Sequence, residues 1–241
     1  AGNRIVHVVP DQTEPDVATD VVFLHEDADL LVLCKPAPLP VHPCGRFNKN
    51  TVLGLLDAAF DDPRAHPVHR LDADTTGVLV LARNPAAARH LGAQFERRTI
   101  DKTYLTRVEG RAPAGHFESR APLRAALDDR GKRELGPGVD ALTRFETLRV
   151  GPQSLVLARP RSGRTNQIRL HLAGLGLPIV GDSAYGPRAT GDLTSGATSP
   201  HPHAPALRLD HPRTETRMCF EAPPPPWAEP ESPSTETPPH E

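Results

Sequence analysis

Apolar residues in this chain fall into short dense runs of strand length, separated by polar segments rich in proline, glycine and acids. Residues 30–34 and 78–82 are unbroken apolar runs, the pattern of strands buried on both faces. Residues 21–24 precede the first run across His25-Glu26-Asp27-Ala28-Asp29, a turn composition, so the two predict a hairpin. Residues 102–108 alternate instead, with Lys102, Tyr104 and Thr106 on one face. Residues 141–150 and 154–158 predict a second antiparallel pair around Gly151-Pro152, and residues 206–210 and 216–220 are expected to close the sheet. Weaker strand signals lie at 5–9 and at the start of 178–186.

Helical signals are fewer. Asn50-Thr51 can cap a short helix through Ala59, and Asn84-Pro85 is a strong start, a side-chain cap followed by proline at the first helical position. The helix from 86 to about 98 sets Ala87, Leu91 and Phe95 on its apolar side, with Arg97 and Arg98 at the C-terminus, where cations are favoured. A third helix follows a polar turn at 161–165 and stops at Gly174 or Gly176. Its stripe is Ile168, Leu172 and Leu175, and Arg169 lies on the polar face. Residues 35–43 hold four prolines and must form a loop. Residues 110–138 predict loops and short strands, and 190–205 a mobile loop. The fold class is α+β: a mixed, mainly antiparallel sheet with flanking helices and loops.

Charge divides the chain into three. Between Leu30 and Phe220 lie 27 of the 28 bases but only 18 of the 30 acids, so a net charge of −2 hides a basic body between acidic ends. Such a body suits a polyanion, although a solvated basic face explains the same count. Residues 1–20 are expected to be a weakly ordered acidic lead-in, 21–222 one catalytic domain, and 223–241 a proline-rich disordered tail. Three cysteines without metal-type spacing suit a reducing, cytoplasmic setting. No run is long enough to cross a bilayer, so no membrane partner is expected.

The densest chemistry is His69-Arg70-Leu71-Asp72-Ala73-Asp74-Thr75-Thr76-Gly77, directly ahead of the apolar run at 78–82. Reactive groups on a loop fixed by the following strand are how a scaffold aims a side chain. Asp72 alone is equally a turn cap, Tyr104 a core tyrosine, and Arg169 a surface arginine.

Taken in order, Lys35-Pro36…Val41-His42-Pro43, His69-Arg70-Leu71-Asp72-x-x-Thr75-Thr76-Gly77, Lys102-x-Tyr104, residues 163–171 and Pro178-Ile179-Val180-Gly181-Asp182-x-x-Tyr185-Gly186 resemble the RluA-type RNA pseudouridine synthases, from about Val21 to Phe220. The resemblance implies that family's catalytic fold and isomerisation of uridine within rRNA or tRNA, with no cofactor and no metal. It makes Asp72 the catalytic aspartate, Arg169 its basic partner, and Tyr104 the ring against the target base, whose hydroxyl can help remove the C5 proton. Arg70 fills the space left by the flipped uridine. His69 sits with the RNA-contacting residues but is expected mainly to orient the loop, as Thr75 and Thr76 are. Lys35, Lys102, Arg164, Arg97 and Arg98 are expected to meet phosphate.

Asn166 stands where relatives usually have His, and Thr76 where they have Ser; both keep hydrogen-bonding ability. An S4-type RNA-binding domain is not expected, so target recognition would rest on the catalytic domain, acting as a monomer. Two other readings remain: a silent RNA-binding relative, against which Asp72, Tyr104 and Arg169 are all retained, and a metal-dependent hydrolase, suggested by twelve histidines that lack ligand spacing.

Overall fold

A computed structural model describes residues 13–60, 65–126, 133–187 and 202–228. The strand expected at 5–9 and most of the loop expected at 190–205 lie outside these residues. In chain order the elements are β1 (Val22–Glu26), β2 (Leu30–Lys35), α1 (Val52–Ala59), β3 (His66–Pro67), β4 (Thr76–Ala82), α2 (Pro85–Arg97) and β5 (Asp101–Glu109). Then come β6 (Gly115–Ser119), β7 (Leu123–Ala125), β8 (Arg133–Leu135), β9 (Thr143–Arg149), β10 (Gln153–Pro160), α3 (Gln167–Gly174), β11 (His203–Asp210) and β12 (Arg217–Glu221), with one 3-10 turn at Pro226–Ala228.

Ten strands form one sheet in the order β1-β2-β4-β11-β5-β10-β9-β6, with β12 beside β11 and β3 beside β4; β7 and β8 pair separately. The α+β class and the antiparallel hairpins β1-β2 and β9-β10 agree with expectation. The placement of β11 does not. This strand begins at His203 and lies in the middle of the sheet, parallel to β4 at Thr76 and Gly77 and antiparallel to β5 and β12. Local pattern marks a strand but not its neighbours, and these neighbours are far away in sequence. Pro205 has no N–H to give a ladder and sits where pairing with β4 gives way to pairing with β12.

The period-2 geometry of β2 and β4 sends alternate residues to two cores. Leu30, Val32, Val78 and Val80 pack under α2 against Ala87 and Leu91, while Leu31, Leu33, Leu79 and Leu81 pack on the other face against Val52 and Leu56 of α1 and Leu71. A third core joins Val108, Val156 and Ala158 to Ile168 and Leu172 of α3. The N-caps are as expected: Thr51 accepts from Gly54 N–H and Asn84 from Ala87 N–H.

Helix α3 departs from expectation, because it has no solvated polar face. Gln167, Arg169 and His171 are buried with Ile168, Leu170 and Leu172. Each polar member is paired inside the protein, Gln167 with Ser162, Thr143 and the Leu142 carbonyl, and His171 with Thr143 and the Ala121 carbonyl. Residues 178–186 form turns with a single bridge from Ile179 to Val108. At the N-terminal end, the Glu14 carboxylate accepts backbone N–H groups of Asn48, Lys49 and Asn50, and Ala18 N–H donates to the Pro38 carbonyl, tying 13–20 to the body. Among the described residues no helix is long and apolar enough to cross a membrane.

Candidate active site

The loop between β3 and β4 is held from three sides. Leu71 is buried in the core under α1, Leu39 N–H donates to the Ala73 carbonyl at 2.9 Å, and Thr75 N–H donates to the Asp72 carbonyl at 3.0 Å. At its end Gly77 has φ +107°, and a Cβ there would lie 2.2 Å from the Ala204 carbonyl oxygen. Only glycine lets β4 and β11 meet at this point. The loop leaves the Asp72 carboxyl group facing a cleft of about 390 Å³, lined also by Arg70, Lys102, Tyr104, Arg164 and Arg169.

Lys35 is not at that cleft. It is fully buried, and its Nζ donates to the carbonyls of Pro36, Leu39 and Ala73 at 2.8, 2.7 and 3.0 Å. Three donors meeting three carbonyls leave nothing for a phosphate, so the expected phosphate contact is instead a pin under the loop. Burial lowers its pKa to about 7 against the opposing pull of Asp74 and Asp72.

His69 faces the cleft, but it too has a structural job. Its Nε2 accepts from Val80 N–H at 2.9 Å, and its ring stacks on Phe95 at 4.9 Å between centroids. Burial, then the charge of Lys102, pushes its pKa down to about 3. A neutral ring with its acceptor occupied orients the loop and offers a phosphate no charge. Thr76 is likewise held, its Oγ1 2.7 Å from His203 Nδ1.

Tyr104 projects from β5 into the cleft beside Asp72. Burial, followed by the carboxylate of Asp72, raises its phenol pKa, so the group is held neutral. This favours the ring over the hydroxyl as its working part. Lys102, two residues earlier on the same face, lines the cleft as well. Arg70 is exposed at the rim, 3.7 Å from Asp72 Oδ1.

The resemblance pairs Arg169 with Asp72, but its direct partner is Asp182. The guanidinium forks onto it, Nε to Oδ2 at 2.8 Å and Nη2 to Oδ1 at 2.6 Å, with both side chains buried. Asp72 reaches Arg169 through its field: burial disfavours the cation, and Asp182, then Asp72 and Asp74, more than offset that. Asp182 also caps Ala184 N–H and Tyr185 N–H at 2.9 Å. Tyr185 lies under the guanidinium, 5.1 Å from its ring centroid, and its hydroxyl accepts from Asn166 Nδ2. Asn166 sits at φ +56° ahead of α3, a conformation Asn tolerates. The one sequence signal for Asp182 is its place in Gly181-Asp-x-x-Tyr185, which marks a turn but not what the turn holds.

Arg164 is exposed at the cleft, Arg98 borders the groove that continues it, and Arg97 lines neither. Among the described residues Asp27, Asp29 and His211 bring three possible ligand atoms within 4.8 Å of one another. Their oxygens are already engaged: Asp29 takes a fork from Arg213 at 2.6 and 2.9 Å, and Asp27 caps two backbone N–H groups. The donor set fits a β-turn lock better than a cation.

Residues 29–174 match the family described as RNA pseudouridylate synthase. The chain is 37% identical over 196 residues to RNA pseudouridine synthase 7 of Oryza sativa subsp. japonica, covering 77% of this chain and 49% of that protein. It is 35% identical over 225 residues to the ribosomal large subunit pseudouridine synthase D of Vibrio parahaemolyticus, covering 87% and 68%. The solved structure of human RNA pseudouridylate synthase domain containing 1 superposes with a TM-score of 0.72 at 26% identity, covering 90% of this chain and 89% of that one. The chain spans about half the length of the rice relative.

Proposed function

Because the chain belongs to the RluA-type RNA pseudouridine synthases, we propose that it converts uridine to pseudouridine within a structured rRNA or tRNA. The observation that carries this is the joint presence of Asp72, Tyr104 and Arg169 around one cleft. The reaction breaks the bond from C1′ to N1, turns the base, and joins C1′ to C5. C5 loses a proton and N1 ends with one, so atoms balance and no electrons are exchanged. No metal or cofactor is needed in this scheme, and the catalytic unit is residues 21–222, acting as a cytoplasmic monomer.

Asp72 supplies the carboxylate that attacks the nucleotide or stabilises positive character on it, and then leaves. The Tyr104 ring lies against the uracil while it turns. Arg169, fixed by its fork onto Asp182, holds a guanidinium in the wall of the cleft that Asp72 also lines. A uridine inside a stack cannot reach this depth, so the nucleotide is flipped and the planar guanidinium of Arg70 fills the gap.

The test is a pseudouridine map of RNA from cells with and without the gene. One or a few positions should lose the modification, regain it with the wild-type gene, and stay unmodified with the Asp72→Asn gene. Identical maps in all three would overturn the reading.

A further inference from the structure

The cleft does not end at its own rim. It runs through Phe95, Lys102, Gly163 and Arg164 into a second groove of about 380 Å³, whose far walls carry Arg98, Arg159, Arg161 and Arg208. Separate segments bring these cations together. Arg98 caps α2 at φ +59°, where the chain reverses into β5. Arg161 and Arg164 follow β10. Arg208 stands exposed between buried Leu207 and Leu209, opposite Asp101 in the pairing of β11 with β5.

Two acids also line the groove, Glu96 and Asp101, and Asp101 is held by Arg217 at 2.7 Å. Arg159 is held by Glu146 at 2.8 Å. Arg98, Arg161, Arg164 and Arg208 have no ion pair among the described residues, and all four are exposed. Exposed arginines facing one groove repel one another unless an anion lies between them. The lining offers little for reading bases: Phe95 is its one aromatic residue, and that ring is already stacked on His69.

We propose that this groove holds the phosphodiester backbone on one side of the target uridine, and that on this side the protein recognises phosphates rather than bases. The proposal rests on the reading that RNA occupies the adjoining cleft. It assigns Arg161 and Arg208 a part in substrate binding and makes recognition asymmetric about the uridine. Burial and the neighbouring charge of Arg98 lower the pKa of Lys102, a strain that a phosphate between the two would relieve.

The experiment is binding of a fluorescein-labelled RNA hairpin, with a uridine in its loop, by the full chain at several salt concentrations. The Arg161→Gln/Arg208→Gln variant should bind roughly tenfold more weakly, and its log-log salt slope should fall by about 0.7 for each phosphate that the protein no longer neutralises. Arg89→Gln/Arg120→Gln, at exposed positions beyond both grooves, removes two charges elsewhere and is the control for lost charge alone. On the RNA side, neutral methylphosphonates placed on one flank of the uridine should weaken wild-type binding and leave the double variant nearly unaffected, whereas base changes on that flank should matter little to either. Wild-type affinity and slope in the double variant would overturn the proposal. So would methylphosphonates acting equally on both proteins, or strong base dependence on that flank. Since these readouts are of binding alone, a protein that shows them yet forms no pseudouridine refutes the isomerase reading and leaves the groove standing.

Discussion

Arg169 and Asp182 form a two-bond fork within 2.8 Å, with their side chains 6% and 1% exposed. A buried guanidinium stripped of its partner is an uncompensated charge, and breaking such a pair typically costs about 3–5 kcal/mol. Asp182→Asn should therefore destabilise the protein by that much in urea titrations and reduce turnover, although Asp182 itself faces no substrate. Although burial opposes the charged form, Arg169 and the backbone donors hold the Asp182 pKa below its ordinary 3.8. The contribution is thus present above about pH 3.8 and lost as pH falls through the lower folded value. The variant and the wild type should converge in stability in strong acid, and a constant gap across the range would contradict the assignment.

Asp72→Asn removes the carboxylate while changing little volume. Pseudouridine formation should fall by at least about a thousandfold, as expected for loss of a covalent catalyst, with RNA affinity retained. Single-turnover conversion of labelled RNA measures the first and anisotropy the second. Comparable rates in the two proteins would remove Asp72 from the chemistry.

Lys35→Met tests the pin beneath the loop. Three carbonyls lose their donor, so stability should fall by about 1–3 kcal/mol, and turnover should drop far more than RNA affinity, since no phosphate reaches this site. The pH dependence has a defined sign. With a folded pKa of about 7 against an ordinary 10.5, the unfolded chain binds the extra proton between these values, so this group makes stability rise from pH 7 toward 10.5. That rise should be smaller in Lys35→Met by chemical denaturation. A variant that loses mainly RNA affinity would restore Lys35 to the phosphate-binding set.

Gly77→Ala should destabilise the protein by more than about 3 kcal/mol or prevent soluble expression. The new Cβ meets the Ala204 carbonyl at 2.2 Å on a residue with φ +107°, and relief requires separating β4 from β11. Gly92→Ala, with open space at its Cβ and a helical position, should be neutral or slightly stabilising by thermal melt.

Most elements, and the loop that carries the chemistry, are legible in the chain alone, because each depends on residues adjacent in sequence. Alternation and apolar runs mark β2, β4, β5, β9 and β10, caps mark α1 and α2, and a cluster of polar groups ending in glycine places Asp72 ahead of β4. Whatever depends on what an element packs against is legible only in three dimensions. Lys35, Arg169 and His69 are polar letters that a one-dimensional pattern assigns to solvent or ligand. In the fold they are drawn inside, and a buried donor or acceptor has to find a partner there: three carbonyls, Asp182 and the Val80 N–H. The same holds for β11, whose apolar alternation announces a strand near the end of the chain, while only long-range pairing could place it at the centre of the sheet, behind the loop that carries Asp72.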